Sequence, residues 1–147
     1  MKIMKRKILL FLAVLSTATT AATAKEDKPV RNVNAKASSV LEAYVEAHIS
    51  NDAVLYNQIL NDGAVLKVNR QDRVVQHTKK ELINFYKKAG KLVLNCKANL
   101  EILSECDCIV LARVDFEFPE FVQHNYVQIE KGKNGHWKIM QINRFTS

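Results

Sequence analysis

The C-terminal half of the chain alternates between apolar and polar residues, and this pattern constrains the fold more than any other feature. Apolar residues occupy every second position over residues 92–102, and the same spacing recurs over residues 110–118. Side chains two residues apart point to the same face of a β-strand, so each segment predicts a strand with one apolar face. Two further strands are predicted over residues 121–130 and 137–145, joined by a glycine-containing turn. The pattern therefore predicts a four-strand meander whose apolar face has to be covered.

The first half of the chain has helical spacing instead. Ser39 and Glu42 have the spacing of a capping box, and apolar positions then recur at i, i+3, i+4 and i+7 up to His48. This predicts a first helix. Asn51-Asp52 interrupts it and begins a short second helix, which is predicted to end at the turn Asn61-Asp62-Gly63.

A hairpin and a third helix complete this half. Two short strands are predicted over residues 64–68 and 73–76, with a polar turn between them. Thr78 and Glu81 form a second capping-box pattern, and Gly90 is placed to end the helix that follows. Three helices before a mostly antiparallel sheet predict an α+β fold, in which the helices cover the apolar face of a curved sheet.

The N-terminus has the three parts of a secretory signal peptide. Four cations and no acidic residue lie within the first seven residues, Ile8–Leu15 is apolar, and residues 16–24 are small and end in Ala-Thr-Ala. An eight-residue apolar stretch is too short to span a bilayer, which needs about 20 residues. We therefore expect cleavage after Ala24 and a secreted or periplasmic protein with no stable membrane anchor.

Cleavage changes the charge argument. The full chain has 22 Lys and Arg against 15 Asp and Glu, whereas the chain after Ala24 has 18 against 15. A net charge of about +3 gives little support to nucleic-acid binding, which is not predicted. Residues 25–37 are polar and aperiodic and predict a flexible leader, and residues 38–147 predict one domain. Cys96, Cys106 and Cys108 are interpreted as small, mostly reduced core residues.

The order of these elements resembles the nuclear transport factor 2-like superfamily, the cone-shaped fold of ketosteroid isomerases and polyketide cyclases. The resemblance covers residues 38–147. It rests on the segments VLEAYVEAHISNDAVLYNQIL, HTKKELINFY and GKNGHWKIMQINRF. The chain also resembles exported members of this superfamily that are described as lumazine-binding. The resemblance implies an α+β cone that holds a ligand or a catalytic acid inside.

The residues predicted to line this cone are neutral. Tyr44 and His48 share the apolar face of the first helix, where they could contact a ligand or simply lie at the edge of the core. On the last two strands, the inward positions are predicted to be Gln123, Asn125, Trp137, Gln141 and Asn143, which would form a hydrogen-bonding floor. A register shifted by one residue would expose them instead.

No acidic residue falls on the predicted inner face of the first two meander strands. Asp115 lies with Arg113 and Glu117 on the opposite face, interpreted as a charged outer surface or a dimer rim. The sequence has no metal-ligand spacing, phosphate loop or dinucleotide fingerprint, so no cofactor, metal or catalytic residue is predicted.

Three functions remain open at this point. The favoured one is an exported domain that binds a small, partly apolar ligand without catalysis and forms a homodimer through the outer face of the sheet. The second is a lyase, isomerase or cyclase acting on a ring carbonyl compound, with Tyr44 as electrophile and His48 or His124 as base. The third is a protein–protein interaction module with a collapsed cone and an exposed apolar patch.

Overall fold

The computed structural model describes residues 32–147, which form three helices and one six-stranded sheet. In chain order the elements are α1 (Ala37–Ser50), α2 (Ala53–Ile59), β1 (Leu60–Arg70), β2 (Arg73–Thr78), α3 (Lys79–Ala89), β3 (Lys97–Glu105), β4 (Ile109–Glu117), β5 (Val122–Lys131) and β6 (Trp137–Thr146). Within these residues, none of the helices combines the length and the hydropathy needed to cross a bilayer.

The strands follow the order β2-β1-β6-β5-β4-β3 across the sheet. All neighbours are antiparallel except β1 and β6, which are parallel. Strands β3 to β6 therefore form the meander that the alternating pattern predicts. The α+β class and the mostly antiparallel sheet are confirmed.

The helices lie against the inner face of the sheet. α1 contacts β5 and β6, and α3 packs against β1 and β2. The core forms between them from fully buried side chains of both layers, including Leu41, Ile59, Phe116, Ile129 and Ile142. Each buried side chain of this kind stabilises the fold by about 1.5–3 kcal/mol. The contact between helices and sheet therefore stabilises the fold and shields the inner face of the sheet from water.

α3 begins and ends where the sequence indicates. The Glu81 N–H donates to Thr78 Oγ1 (3.3 Å), and the Thr78 N–H donates to Glu81 Oε2 (2.7 Å), so the capping box is complete. Gly90 follows the last turn with φ of 70°, a conformation that glycine adopts at no steric cost.

α1 begins earlier than predicted. Its N-cap is Lys36, which makes no side-chain capping bond, so Ser39 lies inside the helix and the predicted capping box does not form. The preceding residues are packed as well: Val33 is buried, and Asn34 Nδ2 donates to the carbonyls of Gln58 and Trp137. The prediction of a flexible leader is therefore wrong for residues 33–37, since Ala37 already belongs to α1. Residues 25–31 of that leader and the predicted signal peptide lie outside the described residues.

Two strands have different bounds from those predicted. β1 starts at Leu60 and runs through the residues assigned to a turn, because Leu60 is buried and pairs with Ile139 of β6. Residues 92–96 continue the alternating pattern but are not in a strand. The Leu94 N–H donates to the Ile49 carbonyl at the end of α1, so this segment bonds to a helix end instead of a neighbouring strand.

β3 is an edge strand that the helices do not fully cover. Leu100 and Ile102 face inward, since they pair with the inward-facing Val114 and Ala112, yet they are 44% and 43% exposed. In the adjoining turn Cys106 and Cys108 are exposed, and Cys96 is half-buried. The interpretation of the cysteines as buried core residues is therefore wrong for the two in the turn, which follows a strand that no helix packs closely against.

Candidate functional site

A group of polar side chains lies inside the helix–sheet core, and we call it the inner polar cluster. Its members are Tyr44, His48, Tyr56, Tyr86, Asn125 and Arg144. Tyr44 of α1 and Asn125 of β5 are both fully buried, and the Tyr44 hydroxyl donates to Asn125 Oδ1 at 3.1 Å. Asn125 Nδ2 donates to the Val114 carbonyl at 3.2 Å, which fixes the orientation of the amide. The Asn125 amide oxygen is therefore available to a second donor.

That second donor is Arg144 of β6. Its Nε donates to Asn125 Oδ1 at 2.7 Å, and its Nη2 donates to the Tyr44 hydroxyl at 3.3 Å. These are two of the five N–H groups of a guanidinium, and the other three have no hydrogen-bond partner among the described residues. Arg144 is also absent from every ion pair in this part of the chain. The inner polar cluster thus holds a half-buried positive charge surrounded by neutral groups.

His48 occupies the other end of the cluster. Its Nδ1 lies 2.9 Å from the Tyr56 hydroxyl, which itself accepts from the Tyr86 hydroxyl at 3.2 Å. Which of these two atoms donates depends on the tautomer of the imidazole. The other ring nitrogen, Nε2, is buried and has no hydrogen-bond partner among residues 32–147. The ring packs on Phe116 with centroids 4.1 Å apart.

His48, Tyr44 and Tyr56 are uncharged near neutral pH. Burial and, to a smaller extent, the charge of Arg144 lower the pKa of His48 to about 3, although the Gln123 side chain opposes the shift. Burial raises the pKa of Tyr44, and Arg144 offsets this only in part. At neutral pH the cluster therefore offers hydrogen bonds and one permanent positive charge.

A groove between α3 and β1 gives access to the cluster, and we call it the α3 groove. Its volume is about 390 Å³, within the range of small-molecule sites. The walls are Leu66, Val68, Leu82, Phe85 and Tyr86; Arg144 also lines the groove, together with Arg70, His77 and Glu81. Phe85 is 64% exposed, so an aromatic ring lies open to water in this wall.

The predicted site residues are only partly brought together. Tyr44, His48 and Asn125 lie in the cluster, and Gln123 accepts from Asn125 Nδ2 through its carbonyl (3.3 Å) and its Oε1 (3.4 Å). Trp137 lies at the start of β6, where its N–H donates to the Asn34 carbonyl, and it does not line the α3 groove.

The prediction that Gln141 and Asn143 face inward is wrong. Ile139 pairs with Ile129, but Gln141 pairs with Gln128, so β6 has one extra residue at Met140. This β-bulge changes which positions face inward, because beyond it the inward residues are Ile142 and Arg144. Gln141 and Asn143 face outward and bond to each other at 3.0 Å.

The same bulge explains why Arg144 was missed. Strict alternation from Trp137 assigns it to the outer face. The available signal is the spacing of Ile139 and Ile142, both apolar and three residues apart, which is incompatible with an unbroken strand that has one apolar face.

His124, the other candidate base, lies on the outer face. Its Nδ1 is 2.8 Å from Asp115 Oδ1, its Nε2 is 2.7 Å from Ser147 Oγ, and Arg113 forms an ion pair with Asp115 at 2.8 Å. Tyr44 and His124 are on opposite sides of the sheet and cannot act on one ligand. Arg113 and Asp115 lie on the outer face, as predicted.

Comparison with known proteins identifies the fold. No family model matches the chain, and no curated protein matches it. Solved structures do: a protein of unknown function from Silicibacter pomeroyi, described as nuclear transport factor 2-like, has a TM-score of 0.64 and 14% identity over 75% of this chain and 92% of its own. A nuclear transport factor 2-like protein from Methylobacillus flagellatus has a TM-score of 0.63 and 18% identity, over 75% of this chain and 88% of its own.

A ketosteroid isomerase-like protein from Erwinia carotovora atroseptica is also similar, with a TM-score of 0.59 and 14% identity over 74% of this chain and 92% of its own. At these identities the similarity is one of fold, and it confirms the fold that the sequence resemblance implied.

Proposed function

We propose that this chain, which has the nuclear transport factor 2-like fold, is a binding domain that holds a small, partly apolar molecule in the α3 groove without catalysing a reaction on it. The observation that carries the proposal is the groove itself. Its walls are aliphatic and aromatic side chains, and it leads to the donors of the inner polar cluster. Sites for small molecules commonly combine apolar walls with a few fixed polar groups.

The ionisation of the cluster supports binding rather than catalysis. A general base works best when its pKa lies near the operating pH, whereas the pKa of His48 is about 3. A raised pKa keeps Tyr44 protonated, and its hydroxyl proton is already donated in a hydrogen bond to Asn125. The alternative of an isomerase or lyase that uses Tyr44 and His48 therefore has less support.

The test is to recover the ligand from a variant series. Protein purified from its own host is analysed by native mass spectrometry, with Val68→Phe to fill the groove and Val74→Phe as a matched change on exposed β2. We expect a small molecule bound to the wild type and to Val74→Phe but absent from Val68→Phe. A small molecule retained equally by all three, or absent from all three, would contradict the proposal.

A homodimer through the outer face is proposed as well. Tyr126 and Phe145 stack there with centroids 5.8 Å apart, and Leu111 is exposed on the same face. A Leu111→Glu variant is expected to sediment as a monomer, whereas Val74→Glu on β2 keeps the wild-type mass. A monomeric wild type would refute this assembly.

Export is proposed from the N-terminal sequence alone. Its support is the basic start, the apolar stretch and the Ala-Thr-Ala end of residues 1–24. The expected result is a protein outside the cytoplasm whose sequence starts at Lys25, as determined by N-terminal sequencing. Recovery of the whole chain from the cytoplasm would exclude it.

A further inference from the structure

Resting on the proposed function, we infer that the ligand of the α3 groove carries a carboxylate, which binds the guanidinium of Arg144. Arg144 lies at the apolar α3 groove and has no counter-ion among residues 32–147. The inference depends on how Arg144 is oriented, on this lack of a counter-ion, and on the side chains that form the walls.

Arg144 is oriented before any ligand arrives. Its Nε and Nη2 are held by Asn125 Oδ1 and the Tyr44 hydroxyl, and Asn125 is itself held by the Val114 carbonyl. The guanidinium is therefore fixed in one plane, and three of its N–H groups remain without partners among the described residues. A carboxylate accepts two parallel N–H bonds from such a fork, and charge-assisted hydrogen bonds of this kind are roughly twice as strong as those between neutral groups.

Within residues 32–147, no group of the chain supplies the missing negative charge. The acceptors around Arg144 are an amide oxygen and a phenol, and within residues 32–147 no carboxylate pairs with it. Glu81 also lines the groove, but its Oε2 accepts from the Thr78 N–H and lies 3.9 Å from His77 Nδ1. Removing a cation from water without a counter-ion is costly, so an anionic ligand would offset an existing penalty.

The walls define the rest of the ligand. Leu66, Val68 and Leu82 are aliphatic, while Phe85 and Tyr86 present rings whose planes are nearly perpendicular. Apolar walls of this kind favour a flat, apolar body over a sugar or a peptide. A volume of about 390 Å³ accommodates one or two fused rings bearing the acid. The ligand class is therefore a small aromatic or alicyclic carboxylic acid.

The test compares an acid with its neutral isostere. 1-Naphthoate and 1-naphthamide have the same body and differ in charge, and each is titrated into the intact protein at neutral pH by calorimetry, with NMR mapping of the groove. We expect 1-naphthoate to bind at least about tenfold more tightly, since charge-assisted hydrogen bonds are stronger than those between neutral groups. The preference should disappear in Arg144→Gln and persist in Arg73→Gln, an exposed arginine of β2 outside the groove.

The outcomes separate the two proposals. If acid and amide bind the groove equally well, the carboxylate inference is overturned while groove binding stands. If neither probe perturbs a groove residue, both proposals fail. If Arg144→Gln does not fold, Arg144→Met serves in its place, because apolar replacement of a buried ion is often tolerated. The acid–amide comparison on the wild type decides the inference without either variant.

Discussion

Burial of the His48 imidazole makes the stability of this fold depend on pH. Its pKa is about 3 in the folded chain and about 6.5 when unfolded, so between these values the unfolded state binds one more proton. The free energy of unfolding is therefore highest above pH 6.5 and falls as the pH decreases towards 3, by up to about 1.4 kcal/mol per pH unit.

Urea titrations across this window check the expectation. The wild type is compared with His48→Gln, which has no titratable group at this position. The carboxylates titrate in both proteins. The difference between the two curves of unfolding free energy against pH therefore isolates the contribution of His48. Curves with the same slope between about pH 6 and about pH 4 would mean that the imidazole ionises freely in the folded state.

Two asparagines on neighbouring strands are expected to differ in importance. Asn125 is fully buried and accepts from Tyr44 and Arg144, so Asn125→Ala leaves one buried and one half-buried donor without this acceptor. We expect a loss of about 2–4 kcal/mol in the free energy of unfolding. Asn143→Ala on the outer face should change it by less than about 0.5 kcal/mol, because Asn143 is exposed. Chemical denaturation of both variants measures the contrast, and equal losses would contradict the placement of the cluster.

At the scale of the elements, the helix starts provide a matched pair. Thr78→Ala removes the side-chain acceptor of the capping box of α3 and is expected to cost about 1 kcal/mol. Ser39→Ala acts inside α1, where serine makes no capping bond, and should be neutral or slightly stabilising, since alanine is the better helix former. Thermal unfolding of the two variants tests this. A larger loss of stability for Ser39→Ala than for Thr78→Ala would indicate that Ser39 caps α1, as the sequence pattern predicts.

The β-bulge at Met140 is the element on which the site depends most. It keeps Ile139 and Ile142 on the inner face despite their odd separation, and as a result it places Arg144 beside Tyr44. Without the extra residue, alternation from Ile139 would direct Gln141 and Asn143 inward. One inserted residue therefore places the cation Arg144 on the inner face instead of the neutral amides of Gln141 and Asn143.

For the whole molecule, the residues before α1 are part of the packed structure. A chain that begins at residue 37 lacks Val33, which is buried, and Asn34, which bonds to Gln58 and Trp137. Compared with a chain that begins at residue 32, it is expected to lose about 4 kcal/mol of unfolding free energy, from one buried aliphatic side chain and three hydrogen bonds, the third from the Trp137 N–H to the Asn34 carbonyl. Calorimetry of both chains, with Asn34→Ala as a partial loss, measures this. Equal stabilities would mean that the segment contributes nothing.

Short-range patterns were sufficient for most of the secondary structure. The period-two segments predicted the meander, and the Thr78–Glu81 pair predicted the start of α3, because alternation and capping depend on residues within one strand or one turn. The burial of Tyr44, His48 and Asn125 could be predicted from the sequence for the same reason, since each lies on the apolar face of its own element.

Long-range contacts decided the remainder. The parallel pairing of β1 with β6, the packing of Val33 and the bulge at Met140 all depend on residues distant in the sequence. A strand's outward and inward positions are fixed by its partners, and a single unpaired residue reverses them without leaving a clear local signal. Arg144 becomes the centre of the candidate site only because β5, β6 and α1 meet in the folded chain.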